Sequence, residues 1–311
     1  LPKAWKLGRG TSGHLRLEAP AMSWTQEAAR EQAALTSEPY DRWVSPNGVC
    51  MAEFRREASG FVIRFPGQAD FSLQLEGDGI AITGWPTPDC DTQTLTNLYH
   101  NAIEPILGNH NGGLYLHGSA VAVPAVASGK AKHGVIAFLG LSRGGKTTLA
   151  GSFARAGFPF LTEDVIDLRL DKGTYWLQPK RSKLRLFADS ARFLLGDDTD
   201  FENDDLKQDV EAGSALPFAK EPVPLRQIFL LGTDHSAPLS IRQLSSQEAL
   251  SALMPHAFIL DVTDKSRLKG HFTRMADLSQ DIACYALDFT RDYAELPRVR
   301  EAVLESFSSL R

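Results

Sequence analysis

Val135-Ile136-Ala137-Phe138-Leu139-Gly140-Leu141-Ser142-Arg143-Gly144-Gly145-Lys146-Thr147-Thr148-Leu149 is the stretch from which the rest of the chain is read. An apolar run leads into a glycine-rich turn, and Lys-Thr then opens a helical pattern. Gly-x-x-x-x-Gly-Lys-Ser/Thr between a strand and a helix is the form of a phosphate-binding loop. Gly140, Gly144 and Gly145 admit backbone conformations closed to other residues. Successive N–H groups can then turn inward and cradle phosphate oxygens, aided by the positive end of the next helix. The cradle expected here runs from Gly140 through Ser142, Arg143, Gly144 and Gly145 to Lys146, Thr147 and Thr148. Lys146 adds a charge within reach of terminal phosphates, and Thr147 offers a hydroxyl to Mg²⁺, which prefers oxygen ligands. ATP and Mg²⁺ are the expected cofactors. At average residue frequencies chance produces this pattern in about one chain in a hundred of this length. The competing reading is a ligand-free glycine turn.

Composition narrows the classes. With 311 residues, 43% hydrophobic and 23% charged, the chain has room for one large domain or two moderate ones. A net charge of −5 argues against a broad nucleic-acid surface. Cys50, Cys90 and Cys284 are far apart and odd in number, as expected for reduced cytoplasmic thiols rather than disulfides or a zinc site. No apolar run approaches membrane-spanning length, and Leu1-Pro2-Lys3-Ala4-Trp5 carries no signal-peptide core. The expectation is a cytoplasmic protein with neither a nucleic-acid nor a membrane partner.

Working outward from the loop, the N-terminal region is the hardest to read. Trp5, Trp24 and Trp43 are packing anchors, and residues 24–35 read as a helix in a region interrupted by prolines. Alternating apolar residues around 51–55, 61–65, 71–75 and 80–82 then predict short strands of a small antiparallel sheet. Asp91 is placed to cap a helix running to about Leu107. The Gly108–Gly113 stretch ends it and marks a domain boundary. Beyond it, residues 114–123 and 135–139 read as strands, and a helix follows the loop to about Ala156. Further strands are expected near 165–168, 175–177, 183–187, 227–231, 239–244 and 285–289, with helices at 274–283 and 295–307. Residues 196–219 are acidic and weakly patterned. They lack the Gly and Glu of a calcium loop and read as a solvated segment or a flap over substrate.

Phosphoryl transfer needs more than a cradle: a group to orient or deprotonate the acceptor, and a carboxylate for the metal. Glu163 and Asp164 interrupt two apolar stretches 17 and 18 residues after Lys146, where the chain can return beside the loop. Adjacent side chains on a strand face opposite ways, so one carboxylate is expected to face the nucleotide. Asp164 is the preferred base or metal ligand. Spacing alone does not separate this from two ordinary loop acids. His117, on the preceding strand, is by itself more often a satisfied structural residue than a functional one. Strand alternation would put Arg181, Lys183 and Arg185 on one face, either solvated or in contact with phosphate or an acidic substrate.

The order His-Gly, strand, glycine-rich loop, Gly-Lys-Thr-Thr-Leu-Ala, helix, Ala-Gly, strand, acid-Asp-Val resembles the catalytic domain of bacterial HPr kinase/phosphorylase over residues 113–170. The first acid here is Glu163 where that family has Asp, and the segment between His117 and the loop is longer. The runs at 116–122, 161–165 and 184–191, followed by Lys207 in the acidic segment, resemble more closely the HPr-kinase-like proteins of lasso peptide gene clusters. Those phosphorylate a C-terminal serine of a ribosomal precursor peptide. The resemblance implies an α/β fold: a P-loop kinase domain of HPr kinase/PEP carboxykinase type over 113–311, with a mixed sheet and helices. A small mainly β domain with a connecting helix precedes it over 1–112. It further implies that Lys146 and Thr147 hold ATP and Mg²⁺, with Glu163 and Asp164 as metal carboxylates. Asp164 would act as general base with His117 in support, and Arg185 and Lys207 would touch substrate. The partner implied is a precursor peptide or small protein, and homo-oligomers occur among the resembled kinases. An HPr-type or free-serine kinase, or a nucleotide-binding regulator without turnover, stand as alternatives.

Overall fold

Alternation between apolar and polar residues builds the first part of the chain. In the computed structural model, which describes residues 22–45, 47–58, 60–76, 79–124, 133–196 and 207–309, the protein divides into two compact units. One comprises residues 1–112 with 259–268, the other 113–258 with 269–311.

The first unit holds β1 (Met22–Gln26), β2 (Asp41–Val44), β3 (Cys50–Glu57), β4 (Gly60–Phe65), β5 (Ala69–Glu76) and β6 (Gly79–Pro86). They form one sheet in the order β1-β6-β5-β4-β3-β2, antiparallel throughout except for the parallel β1–β6 pair. Inward positions Ala52, Phe54, Ile63, Phe71, Leu73 and Ile82 are buried, while intervening residues such as Glu53 and Arg55 pair on the other face. Asp91 accepts a hydrogen bond from Thr94 N at 2.5 Å and starts α1 (Thr92–Leu98). A π-helical turn at Tyr99–Ile103 joins it to α2 (Glu104–His110).

The helix expected over 24–35 is absent. Trp24 lies on β1, stacked at 4.5 Å on Tyr99 and 5.6 Å on Phe71. Burying that ring in an aromatic stack outweighs a weak local helical periodicity. Trp5 lies outside the described residues. The stack requires a glycine opposite it, because a Cβ at Gly84 would come within 2.6 Å of the Trp24 ring. Gly84→Ala should therefore lower stability by about 1–3 kcal/mol, read as a shift in the urea midpoint. Adding Trp24→Leu should recover part of the loss, and simple additivity of the two changes would refute this account.

The second unit is a mixed α/β arrangement. Its strands are β7 (Leu114–Val123), β8 (Gly134–Leu139), β9 (Phe160–Thr162), β10 (Val165–Asp171), β11 (Thr174–Gln178), β12 (Lys183–Leu186), β13 (Gln208–Glu211), β14 (Val223–Leu231), β15 (Ser240–Gln243) and β16 (Ala283–Asp288). Its helices are α3 (Lys146–Arg155), α4 (Ala188–Leu195), α5 (Ser246–Leu253), α7 (Leu296–Ser308) and most of α6 (Lys265–Asp281). The main sheet runs β11-β10-β7-β8-β14-β16-β15, with β9 also on β7. β8, β14 and β16 are parallel neighbours. Such strands are covered on both faces, which is why Val135–Leu139 reads as an unbroken apolar run. Phe138, Leu149, Phe153, Phe229, Val299 and Val303 pack one side, and Ala137, Leu139, Ile228, Leu253, Met275 and Leu278 the other.

α6 starts at Lys265, well before the expected Arg274, with Asp264 accepting from Arg267 N at 3.1 Å. Its first turns are largely polar, which hid the periodicity. Of the acidic segment, residues 197–206 lie outside those described, whereas Gln208–Glu211 is not loop but pairs with β12. Among the described residues no helix is long and apolar enough to cross a membrane.

Candidate functional site

β8 ends at Leu139, and α3 begins at Lys146. Between them Arg143 has φ 62° and Gly145, the residue capping α3, has φ 88°. Gly144 N donates to Leu141 O at 3.0 Å, closing the turn. Left-handed residues alternating with right-handed ones turn successive N–H groups toward one concavity. Arg291, beyond the end of β16, pins this turn from outside. Its Nε donates to Gly144 O at 3.1 Å, Nη1 to Phe289 O at 2.7 Å and Nη2 to Gly232 O at 2.8 Å.

The Lys146 ammonium folds back on the turn, donating to Gly140 O and Leu141 O, each at 3.0 Å. Burial pulls its pKa to about 8, opposed by the charge of Asp164 and reinforced by that of Lys207. A buried ammonium that donates to loop carbonyls, beside the amides of the turn, is a donor set matched to a polyphosphate.

The chain returns to this point at the bend between β9 and β10. Ser119 Oγ donates to Glu163 O at 2.6 Å, and Gly118 N to Asp164 O at 3.1 Å, so β7 fixes the backbone of both acids. Thr147 Oγ1 donates to Glu163 Oε2 at 3.3 Å. The two carboxyl groups do not face opposite ways, as strand alternation had led one to expect. They sit at a bend rather than within a strand, and their side chains hydrogen-bond to each other.

Their charges separate accordingly. Burial, and then the charge of Asp164, push Glu163 well above the carboxylate range. Burial pushes Asp164 up as well, but Lys207, His117, the Glu163 hydrogen bond and Arg185 outweigh it and hold Asp164 below its usual value. Glu163 is therefore the proton-bearing member and Asp164 the ionised one. Burial, then the charge of Lys146, lowers His117 to about 4, and His256, on the turn Met254–His256, is lowered to about 4 in the same way, with His117 and Lys146 contributing. Both rings are neutral at pH 7.

A cavity of about 510 Å³ opens over the turn, reaching His117, Asp164, Arg185 and Lys207 as well as Arg291 and Tyr293. Arg185 on β12 lies 3.4 Å from Asp209 Oδ1. Lys183 is taken up by Asp209 at 2.8 Å and Glu211 at 3.4 Å, so the row Arg181, Lys183, Arg185 does not present three equivalent cations. Phe187 carries two cations on its ring, Arg143 at 5.3 Å and Lys207 at 5.8 Å.

Thr148 Oγ1 and Ser190 Oγ are 3.0 Å apart, Ser190 Oγ and Tyr293 OH 3.1 Å, and Tyr293 OH donates to Asp189 Oδ2 at 2.7 Å. Burial lifts the Tyr293 phenol to about 12, so it stays a donor. Among the described residues no group of three or more His, Cys, Asp and Glu forms a metal cage. Thr147, Glu163 and Asp164 instead converge as a sparse oxygen set, the kind Mg²⁺ completes with phosphates and water.

Residues 142–148, His117, Asp164, Arg185 and Lys207 thus line one concavity, while Glu163 and Gly140 do not line it; Glu163 is tied to it through its hydrogen bond with Thr147. Arg291, Tyr293, Phe187, Ser190 and Asp189, which also line it, were not legible as site residues. Arg291 and Tyr293 stand in Thr290-Arg291-Asp292-Tyr293, which reads as a plain connection between a strand and a helix. Neither a protein-family model nor a curated protein matches this chain. Among solved structures, the HPr(Ser) kinase/phosphatase from Coxiella burnetii matches with a TM-score of 0.32 and 12% identity, covering 62% of this chain and 98% of that one. A match this loose assigns neither fold nor chemistry by itself.

Proposed function

We propose that this protein is an ATP- and Mg²⁺-dependent kinase acting on a serine hydroxyl of a ribosomally made precursor peptide, of the lasso peptide C-terminal type. The observation that carries the reading is the hydrogen-bonded Glu163–Asp164 pair, with Asp164 ionised, beside Lys146 and the amide-lined turn. A phosphate-holding protein without turnover has no need of an ionised carboxylate kept in place by a second, protonated one.

When bound, ATP supplies the phosphoryl group and Mg²⁺ the charge that offsets it. Lys146 leaves the loop carbonyls to meet phosphate oxygens, which are the stronger acceptors. The loop amides hold the phosphates in place without reorganising. Thr147 and a nearby carboxylate would provide oxygens for the metal. Asp164 accepts the proton of the acceptor hydroxyl. Neutral His117 orients that hydroxyl, and Lys207 and Arg185 place positive charge where negative charge gathers.

The test is direct. The protein is incubated with ATP, Mg²⁺ and a peptide ending in serine, and mass spectrometry reads the gain of one phosphate. The same peptide ending in alanine should stay unmodified, and free serine should react at least about tenfold more slowly, because remote binding energy is what a peptide adds. Equal use of free serine would move the acceptor to a small metabolite, and no transfer to any hydroxyl would leave a binding protein.

A further inference from the structure

The lining of the cavity holds two chemically different sets of residues. Lys146, Asp164, Lys207 and Arg185 act on one another through charge. A hydrogen-bonded chain runs from Thr148 through Ser190 and Tyr293 to Asp189. With the terminal phosphate and its acceptor at the charged set, this chain is left for the rest of a nucleotide lying over the turn.

We propose that Tyr293 forms a nucleoside subsite there, with the base of the bound nucleotide stacking on its phenol ring, an inference that rests on the kinase reading above. Besides the imidazoles of His117 and His235, three phenyl-type rings line the cavity: Phe187, Phe289 and Tyr293. Two are already occupied by cations. Phe187 carries Arg143 and Lys207, and Phe289 carries the Arg291 guanidinium at 3.8 Å. Tyr293 has no cation over it among the described residues. Phe193 stacks on it at 4.7 Å with the planes 22° apart, so a base on the other face extends an existing stack.

The hydroxyl chain sets the pose of the ring. Asp189 can only accept, so Tyr293 donates to it, Ser190 donates to Tyr293 and Thr148 to Ser190. Thr148 is on the first turn of α3, directly after the phosphate loop. The ring that would hold the base is therefore tied through two hydrogen bonds, by way of Ser190, to the helix that would hold the phosphates, and a third anchors it to Asp189 on α4. Tyr293 is a binding residue here, and Ser190 and Asp189 position it.

The experiment compares equilibrium binding of ATP and inorganic tripolyphosphate to the full chain and to its variants. The wild type should bind ATP at least about tenfold more tightly than tripolyphosphate, since stacking a base on an aromatic ring has an effect of that order. Tyr293→Ala should weaken ATP about ten- to hundredfold and tripolyphosphate less than about twofold. Tyr293→Phe, which keeps the ring, should stay within about threefold of wild type for ATP. Tyr293→Leu, which fills space without a π face, should behave like Tyr293→Ala and serves in its place if the alanine variant does not fold. Equal wild-type affinity for ATP and tripolyphosphate overturns the subsite while leaving the phosphate cradle intact. Loss of ATP selectivity on Phe187→Ala but not on the Tyr293 variants also overturns it. Binding of neither ligand by the wild type sinks the kinase reading and the subsite together.

Discussion

Asp164→Asn should lower phosphoryl transfer by about 10²–10⁴-fold, the range a positioned base contributes, while ATP affinity changes only a few-fold. Asparagine preserves the shape of the side chain but cannot take a proton. Asp164 suits the role because its four neighbours Lys207, His117, Glu163 and Arg185 overcome the effect of burial and keep it ionised. Glu163→Gln is the informative companion. A glutamine amide can still donate to Asp164 as the protonated Glu163 does, so transfer should fall less than in Asp164→Asn. Single-turnover rates, with nucleotide affinity measured separately, distinguish the outcomes. Undiminished transfer by Asp164→Asn would remove Asp164 from the chemistry, and a larger loss with Glu163→Gln would make Glu163 the essential acid.

Stability should fall steeply as pH drops from 6.5 toward 4. His110, His256 and His271 are each lowered from 6.5 to about 4, with burial the largest cause in every case. The folded state therefore keeps these rings neutral in a window where the unfolded chain binds protons. Stability rises with pH wherever the unfolded state holds more protons, so it is lost as pH falls through this window and is fully present above it. By linkage each ring costs about 2 kcal/mol at pH 5, against a total of about 5–15 kcal/mol for a typical protein. His110 belongs to the first unit and the other two to the second, so urea unfolding should be followed with probes in each. His271 offers the sharper check, since neither ring nitrogen has a partner among the described residues. His271→Leu should shrink the loss between pH 7 and 5 in the second unit. An unchanged pH profile would mean that this ring does not stay neutral when folded.

The loop from Gly140 to Thr147 was legible because every residue in it answers a local demand: a buried strand, a turn needing left-handed backbone, and a helix start with a lysine. The strands of the first sheet and those around the loop were legible for the same reason, since burial on one face or two writes itself as alternation or as an apolar run. Trp24 was misread because its environment comes from Phe71, Gly84 and Tyr99, 47 to 75 residues further along the chain. The start of α6 was missed because polar first turns carry no periodic signal.

At the site, the sequence by itself determined which residue types were available and that an acid pair follows the loop at a distance allowing return. Only the tertiary structure decided that the two acids meet at a bend, with Asp164 on the cavity, and that they split into one protonated and one ionised group. That split needs the low dielectric of a buried site and the charges of Arg185 on β12 and of Lys207, which no local pattern encodes. The same holds for Arg291 and Tyr293. Arg291 pins a turn 147 residues away in the chain, and Tyr293 stands over the start of α3. Their meaning lies in packing at long range in sequence, where spacing carries no information.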